Sequence, residues 1–225
     1  MIPRAVLFDL DETLIHRAIR RFIADQYTRY AAVLAPASAE QYTSRFLELE
    51  DDGRVAKAVI YPALLQALGI TGVAAGTLLA DYRAVYPSFT TPNPGALETL
   101  RALRAHGLRL GIITNGSGAL QNGKIDAIGI RPLLDCVVVS ELVGLAKPDP
   151  AIFRLAAGQL GVKTEDCVFI GDNPRLDVAG ALGAGCGAIW FRAGTPWPPD
   201  LQAAPFVITA LAACLPLCGV DALPG

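Results

Sequence analysis

Positive charge is in short supply in this chain. Lys and Arg number 19 against 21 Asp and Glu, giving a formal charge of -2 and an isoelectric point near 5.7. That balance excludes a basic footprint for polymeric nucleic acid or anionic lipid, so any phosphate must be captured locally by a few placed groups. Long apolar runs are missing too. Hydrophobic residues make up 52% of the chain, but Pro or charged residues interrupt each long stretch. The longest candidate, Ala210 to Val220, contains Pro216 and is too short to span a bilayer. The N-terminal segment meets Asp9 too soon for a secretory leader and reads as a buried strand. His16 and His106 are the only histidines, and the five cysteines (Cys136, Cys167, Cys186, Cys214 and Cys218) lack metal-site spacing. Cys214 and Cys218 stand at i, i+4, but Pro216 between them argues against a helix presenting both thiols. Small buried hydrophobes in a reducing cytoplasm are the expectation.

At 225 residues the chain can bury a large core, and one α/β domain with a modest insertion fits its length. Short apolar runs recur at Ala5–Phe8, Leu110–Ile113, Val137–Val139, Val168–Ile170, Ala188–Phe191 and Phe206–Ile208. Without clear alternation, they suit strands buried on both faces, as in a parallel sheet. Helical patterns separate them. One opens at Pro94-Gly95 and carries Leu97, Leu100 and Leu103. Another spans Ser117 to Ile128 with Ser117 as N-cap, and a third runs from Asp149 to Leu160, with Pro150 at its first position. Leu176 to Leu182 predicts a shorter helix. This rhythm implies right-handed βαβ units and a doubly wound sheet.

Residues 15–91 break the rhythm. They hold no convincing strand, and Arg17–Leu34, Ala39–Glu50, Val55–Leu68 and Ala75–Tyr86 show helical periodicity. The expectation is an α/β core formed by residues 1–14 and 92–225, with a helical domain over 15–91 inserted after the first strand. The tail after Leu211 is expected to be irregular and loosely packed.

Ligands of doubly wound sheets bind at the C-terminal ends of strands. The first run leads into Asp9-Leu10-Asp11-Glu12-Thr13, and the second into Thr114-Asn115-Gly116. The third leads through Ser140 and Glu141 to Lys147-Pro148, and the fourth into Gly171-Asp172-Asn173-Pro174-Arg175-Leu176-Asp177. Polar residues from four strands therefore gather at one edge.

With these motifs in order, the chain resembles the haloacid dehalogenase superfamily over nearly its whole length. The resemblance implies a Rossmann-like core and a phosphatase in which Asp9 attacks phosphorus to give an aspartyl-phosphate. Asp11 then serves as general acid toward the leaving oxygen and as general base toward the hydrolytic water. Mg²⁺ would be held by the Asp9 carboxylate, the Asp11 backbone carbonyl and Asp172. Thr114 and Asn115 would bind phosphoryl oxygens through hydroxyl and backbone N–H groups, and Lys147 would neutralise charge on nucleophile and phosphoryl group. Asp177 would orient Lys147 or a metal-bound water, and Asn173 would contact such a water or shape the turn before Pro174.

The insertion resembles the family's C1-type cap, which closes over the site and supplies specificity contacts. Its Arg20, Arg21, Arg54 and Lys57 stand as cations for an anionic substrate or as solubilising charges. The motif set looks most like the branch holding pyrimidine 5'-nucleotidases, phosphosugar phosphatases and N-acylneuraminate phosphatase, without choosing among them. The implied substrate is a small phosphomonoester of nucleotide, sugar phosphate or phosphoglycolate type. A haloacid dehalogenase would need neither Asp11 nor the Mg²⁺-type Asp172. A phosphomutase would keep both aspartates, and a non-catalytic binding protein would usually have lost the nucleophile or the lysine.

Overall fold

The computed structural model describes residues 2–53, 55–194 and 196–221. The chain runs through β1 (Ala5–Phe8), β2 (Ile15–His16), α1 (Ile19–Arg29), α2 (Ala31–Leu34), α3 (Ala39–Glu50), α4 (Lys57–Ala67), α5 (Ala75–Val85) and β3 (Thr91–Pro92). It continues through α6 (Ala96–Ala105), β4 (Arg109–Thr114), α7 (Gly118–Ala127), β5 (Cys136–Val139), α8 (Ser140–Val143) and α9 (Pro150–Gln159). The last elements are β6 (Cys167–Gly171), α10 (Gly180–Gly183), β7 (Gly187–Phe191) and β8 (Val207–Ile208).

The apolar runs form one six-stranded parallel sheet in the order β5-β4-β1-β6-β7-β8. β1 lies between β4 and β6, with Ala5 opposite both Arg109 and Cys167. Its side chains divide between the two faces of the sheet, as a strand's period of two requires. Val6 and Phe8 pack with Leu100 and Leu103 of α6, while Ala5 and Leu7 pack with Ile152, Phe153 and Ala156 of α9. Burial on both faces is the reason these strands read as continuous apolar runs. The chain builds outward from β1 to β4 and β5 on one side and to β6, β7 and β8 on the other. The strand order therefore reverses at β1, where open α/β sheets bind ligands.

Several sequence expectations are corrected. A short strand does occur in the 15–91 stretch, where Ile15 and His16 pair antiparallel with Pro92 and Thr91; two residues are too few to leave a periodic signature. The predicted helix over Leu176–Leu182 is a π-helical turn at Pro174–Ala179 followed by α10. Ser117 makes no side-chain cap on α7; the Gly118 N–H instead donates to Glu141 Oε2 at 2.6 Å. The tail is not loose. Leu211, Cys214, Leu215, Cys218 and Val220 are all buried in the cluster that contains Val6 and Phe8. Short 3₁₀ turns, with Pro216 opening one, carry that segment in place of a continuous α-helix. All five cysteines are free and buried.

The chain divides into two compact units, Met1–Arg17 with Thr91–Gly225, and Ala18–Thr90. Ile15, His16 and Thr91 group with the sheet unit, where β2 and β3 pair. The second unit is helical. Its interior holds a satisfied polar network: Gln26 Nε2 donates to the Leu78 carbonyl and Asp81, and Gln26 Oε1 accepts from the Tyr42 and Tyr61 hydroxyls. Arg20 and Arg21 are exposed, whereas Lys57 is largely engaged, its Nζ 2.9 Å from the buried Glu50. Arg54 lies outside the described residues.

Candidate active site

The C-terminal ends of β5, β4, β1 and β6 bring the polar motifs together. Asp9 follows β1 directly, its N–H bonded to the Ile170 carbonyl of β6. Its side chain is buried and accepts a 2.5 Å hydrogen bond from Lys147 Nζ. The same ammonium donates to Asp177 Oδ1 at 2.7 Å. Asp177 is held from its other side, where Oδ2 accepts the Asn173 N–H at 2.8 Å. Asp177 thus orients Lys147 with one oxygen and the turn after β6 with the other.

Gly171 makes that arrangement sterically feasible. A Cβ at this position would lie 2.5 Å from the Asp177 Cγ and 2.6 Å from its Cβ. Gly180 likewise lets its turn approach Phe153 and Pro148, each about 3.0–3.1 Å from an added Cβ. Gly183 and Gly185 are less crowded: an added Cβ would meet one atom at 3.9 Å at Gly183 and one at 3.5 Å at Gly185, where φ is 87°.

Asp9, Asp172 and Asp177 each offer a carboxylate oxygen, all within 4.8 Å of one another. Three carboxylates face one lysine ammonium, so the cluster carries excess negative charge. Burial is the main reason the Asp9 carboxyl is pushed up to about 7, against the attraction of Lys147 and with the repulsion of Asp177 and Asp11. Burial first, then Asp9 and Asp177, push Asp172 up to about 8. Burial disfavours the Lys147 charge, but Asp177 and Asp9 outweigh it and raise its pKa. Hard oxygen donors crowded to the point of resisting ionisation fit an oxygen-seeking dication such as Mg²⁺.

Thr114 and Asn115 lie at the end of β4. Thr114 is buried, and its Oγ1 accepts from Gln121 Nε2 at 2.5 Å. Asn115 exchanges two 2.9 Å bonds with the Lys147 backbone: its Nδ2 donates to the carbonyl and its Oδ1 accepts the N–H. The side chain of Asn115 thereby ties β4 to the lysine loop. Asn173 is a helix cap, its Oδ1 accepting the N–H groups of Arg175 and Leu176. Arg175 is exposed and pairs with Asp200. His16 is exposed near Glu12, and the His106 ring at the end of α6 contacts the Ala102 carbonyl at 2.9 Å.

The sequence model of the haloacid dehalogenase-like hydrolases aligns with residues 3–185. The chain belongs to this family. Among its haloacid dehalogenase-like relatives is pyrimidine 5'-nucleotidase YjjG of Escherichia coli, 30% identical over 220 residues that cover 92% of this chain and 93% of the relative. Another is glyceraldehyde 3-phosphate phosphatase of Methanopyrus kandleri, 31% identical over 204 residues, 85% of this chain and 84% of the relative. The crystal structure of a HAD phosphatase from Thermococcus onnurineus superposes with a TM-score of 0.71 at 27% identity, covering 98% of this chain and 100% of that one.

Sequence reasoning missed four residues that shape the site of this haloacid dehalogenase-like hydrolase. Gln121 and Lys124 of α7 both reach Asp11. Asn93 Nδ2 donates to the carbonyls of Glu12 and Thr13, and its N–H to that of Leu14, which clamps the loop after Asp9. Glu12 in that loop has a φ of 60°, a left-handed conformation a non-glycine residue adopts only when held. Trp190 Nε1 donates to the Asp172 carbonyl at 2.9 Å. One signal was available: Gln121 and Lys124 stand one helical turn apart on the helix that directly follows Thr114-Asn115.

Proposed function

We propose that the chain is a Mg²⁺-dependent phosphomonoester hydrolase that acts on a small phosphorylated metabolite through an aspartyl-phosphate on Asp9. The observation that carries this reading is the cluster of buried Asp9, Lys147 and Asp177 with half-buried Asp172, and a second acid, Asp11, two residues beyond the nucleophile. The names of the relatives support it: a pyrimidine nucleotidase and a glyceraldehyde 3-phosphate phosphatase, both aligned over most of their length.

The Asp9 and Asp172 carboxylates, with the Asp11 backbone carbonyl, would hold Mg²⁺, which when bound supplies positive charge beside the phosphoryl group. Asp9 attacks phosphorus and forms an acyl-phosphate (mixed anhydride) bond as the bond to the leaving oxygen breaks. Asp11 gives its proton to that oxygen, then takes one from the water that hydrolyses the intermediate. Burial disfavours the Asp11 charge, but Lys124 and the hydrogen bonds from Gln121 and Lys124 more than offset it, so its pKa is lowered. An incoming phosphate opposes that ionisation, and Asp11 takes up its proton with substrate in place. Lys147 steadies the Asp9 carboxylate and the transferring oxygens. Thr114 offers its hydroxyl to the phosphoryl group; its oxygen already accepts from Gln121, which leaves the proton free to donate. The helical unit over 18–90 is proposed to act as a C1-type cap that sets substrate choice.

The test is phosphate release from nucleotides, sugar phosphates and phosphoglycolate with and without Mg²⁺, using wild type and Asp9→Asn. Hydrolysis that requires Mg²⁺ and falls by more than about 1,000-fold in the variant is expected. Undiminished activity in Asp9→Asn would falsify the nucleophile assignment, and transfer of the phosphoryl group within the substrate would mark a mutase.

A further inference from the structure

Asp11 is held from outside its own loop. Lys124 Nζ donates to both oxygens of its carboxylate, at 2.7 and 3.0 Å, and Gln121 Nε2 adds a bond to Oδ2 at 2.8 Å. The lysine is only 4% exposed, whereas Asp11 is partly open. An ammonium buried this deeply needs a carboxylate partner, so the contact is built into the packing of α7. A carboxylate has roughly four acceptor directions, and these three hydrogen bonds, from two donor groups, take up most of them. The free acceptor direction, on the partly open side of Asp11, is where it can accept a proton.

We propose that Lys124 and Gln121 are positioning residues that aim the Asp11 carboxylate at the hydrolytic water. The inference rests on the phosphatase reading above and assigns a step within it. In that step the water oxygen bonds to phosphorus and the bond between phosphorus and the Asp9 oxygen breaks. Its electron pair returns to the Asp9 carboxylate, and the water's proton passes to the free acceptor direction of Asp11. Formation of the intermediate from an activated aryl phosphate needs no proton on its leaving group, so it does not depend on this aim.

Rapid-mixing kinetics with 2,4-dinitrophenyl phosphate and Mg²⁺ separate the two steps in wild type, Lys124→Met, Lys124→Gln and Lys124→Arg. The Met and Gln variants are expected to release about one equivalent of dinitrophenolate in a burst and then turn over roughly 10- to 100-fold more slowly than wild type. Their Mg²⁺ affinity, measured by calorimetry, is expected to match wild type, and Lys124→Arg to recover most of the turnover. Full turnover in both neutral variants overturns the proposal. So does a parallel loss of burst and turnover, or a loss of Mg²⁺ affinity, because either marks general damage to the site. A wild type without Mg²⁺-dependent release overturns the phosphatase reading itself, whatever the variants do.

Discussion

Lys147 Nζ sits 2.5 Å from Asp9 Oδ1, and both side chains are buried although 138 positions separate them in the chain. The same nitrogen bonds Asp177, so one cation serves Asp9 and the residue that braces the turn after β6. Removing it strands two buried acids. Lys147→Met is expected to lower unfolding free energy by about 3–5 kcal/mol at neutral pH. Urea denaturation checks this, and a variant as stable as wild type would show that the ion pair is not integral to the fold.

Acidity in the cluster couples metal to stability. The Asp9 and Asp172 carboxyls are pushed up to about 7 and about 8 in the folded chain, from an ordinary value of 3.8. An acid whose pKa rises on folding keeps its proton in the native state after the unfolded chain has lost it. The native state is therefore favoured at low pH within this window, and the metal-free protein should lose stability as pH rises from 4 toward 8. Mg²⁺, held as proposed by the ionised forms, would reverse that loss. The rise in Tm on adding Mg²⁺ should be larger at pH 8 than at pH 5.5; thermal scans giving an equal rise at both would refute the coupling.

Backbone crowding at Gly171 links the metal acids to the lysine. A methyl group there would collide with Asp177, which has no room to retreat from Lys147 and the Asn173 N–H. Gly171→Ala is expected to reduce kcat on the order of 100-fold through a small displacement of Lys147. It should also weaken Mg²⁺ binding. Steady-state kinetics and calorimetry on the purified variant measure both, and wild-type values would mean that the turn relaxes freely.

Asp11 should divide chemistry from metal binding. Its side chain is committed to Lys124 and Gln121, so a backbone carbonyl is the group proposed to reach the metal. Asp11→Asn is expected to lower turnover of an alkyl phosphate by about 100- to 10,000-fold. Its Mg²⁺ affinity should hold in the same calorimetric titration; a large loss there would assign the carboxylate to the metal.

The sequence by itself determined the doubly wound parallel sheet and the residues at its edge. Apolar runs such as Ala5–Phe8 and Val168–Ile170 are dictated by burial on both faces, and a strand must end where Asp9 or Asp172 begins, because a carboxylate cannot enter that core. Asp149 before Pro150 marked a helix start, and its side chain caps α9 by accepting the Ala151 N–H at 2.8 Å. These are local signals, carried by neighbouring residues. The partners of the acids are not local. Gln121 and Lys124 reach Asp11 across 110 and 113 positions, Asn93 reaches Glu12 across 81, and Trp190 holds the Asp172 carbonyl. In sequence, Lys124 looks like any cation on a helix of low amphipathicity. Only the packing of α7 at the end of β4 removes it from water and brings it against Asp11. The tail shows the same limit from the apolar side: Leu211, Cys214, Leu215 and Cys218 stand at helical spacing in a segment that Pro216 interrupts, and only the space beneath Val6 and Phe8 decides that they are buried. Hydrophobic pattern and turn chemistry act over a few residues and can be read from order alone. Ion pairs and cavity filling depend on distances that exist only once the layers have closed.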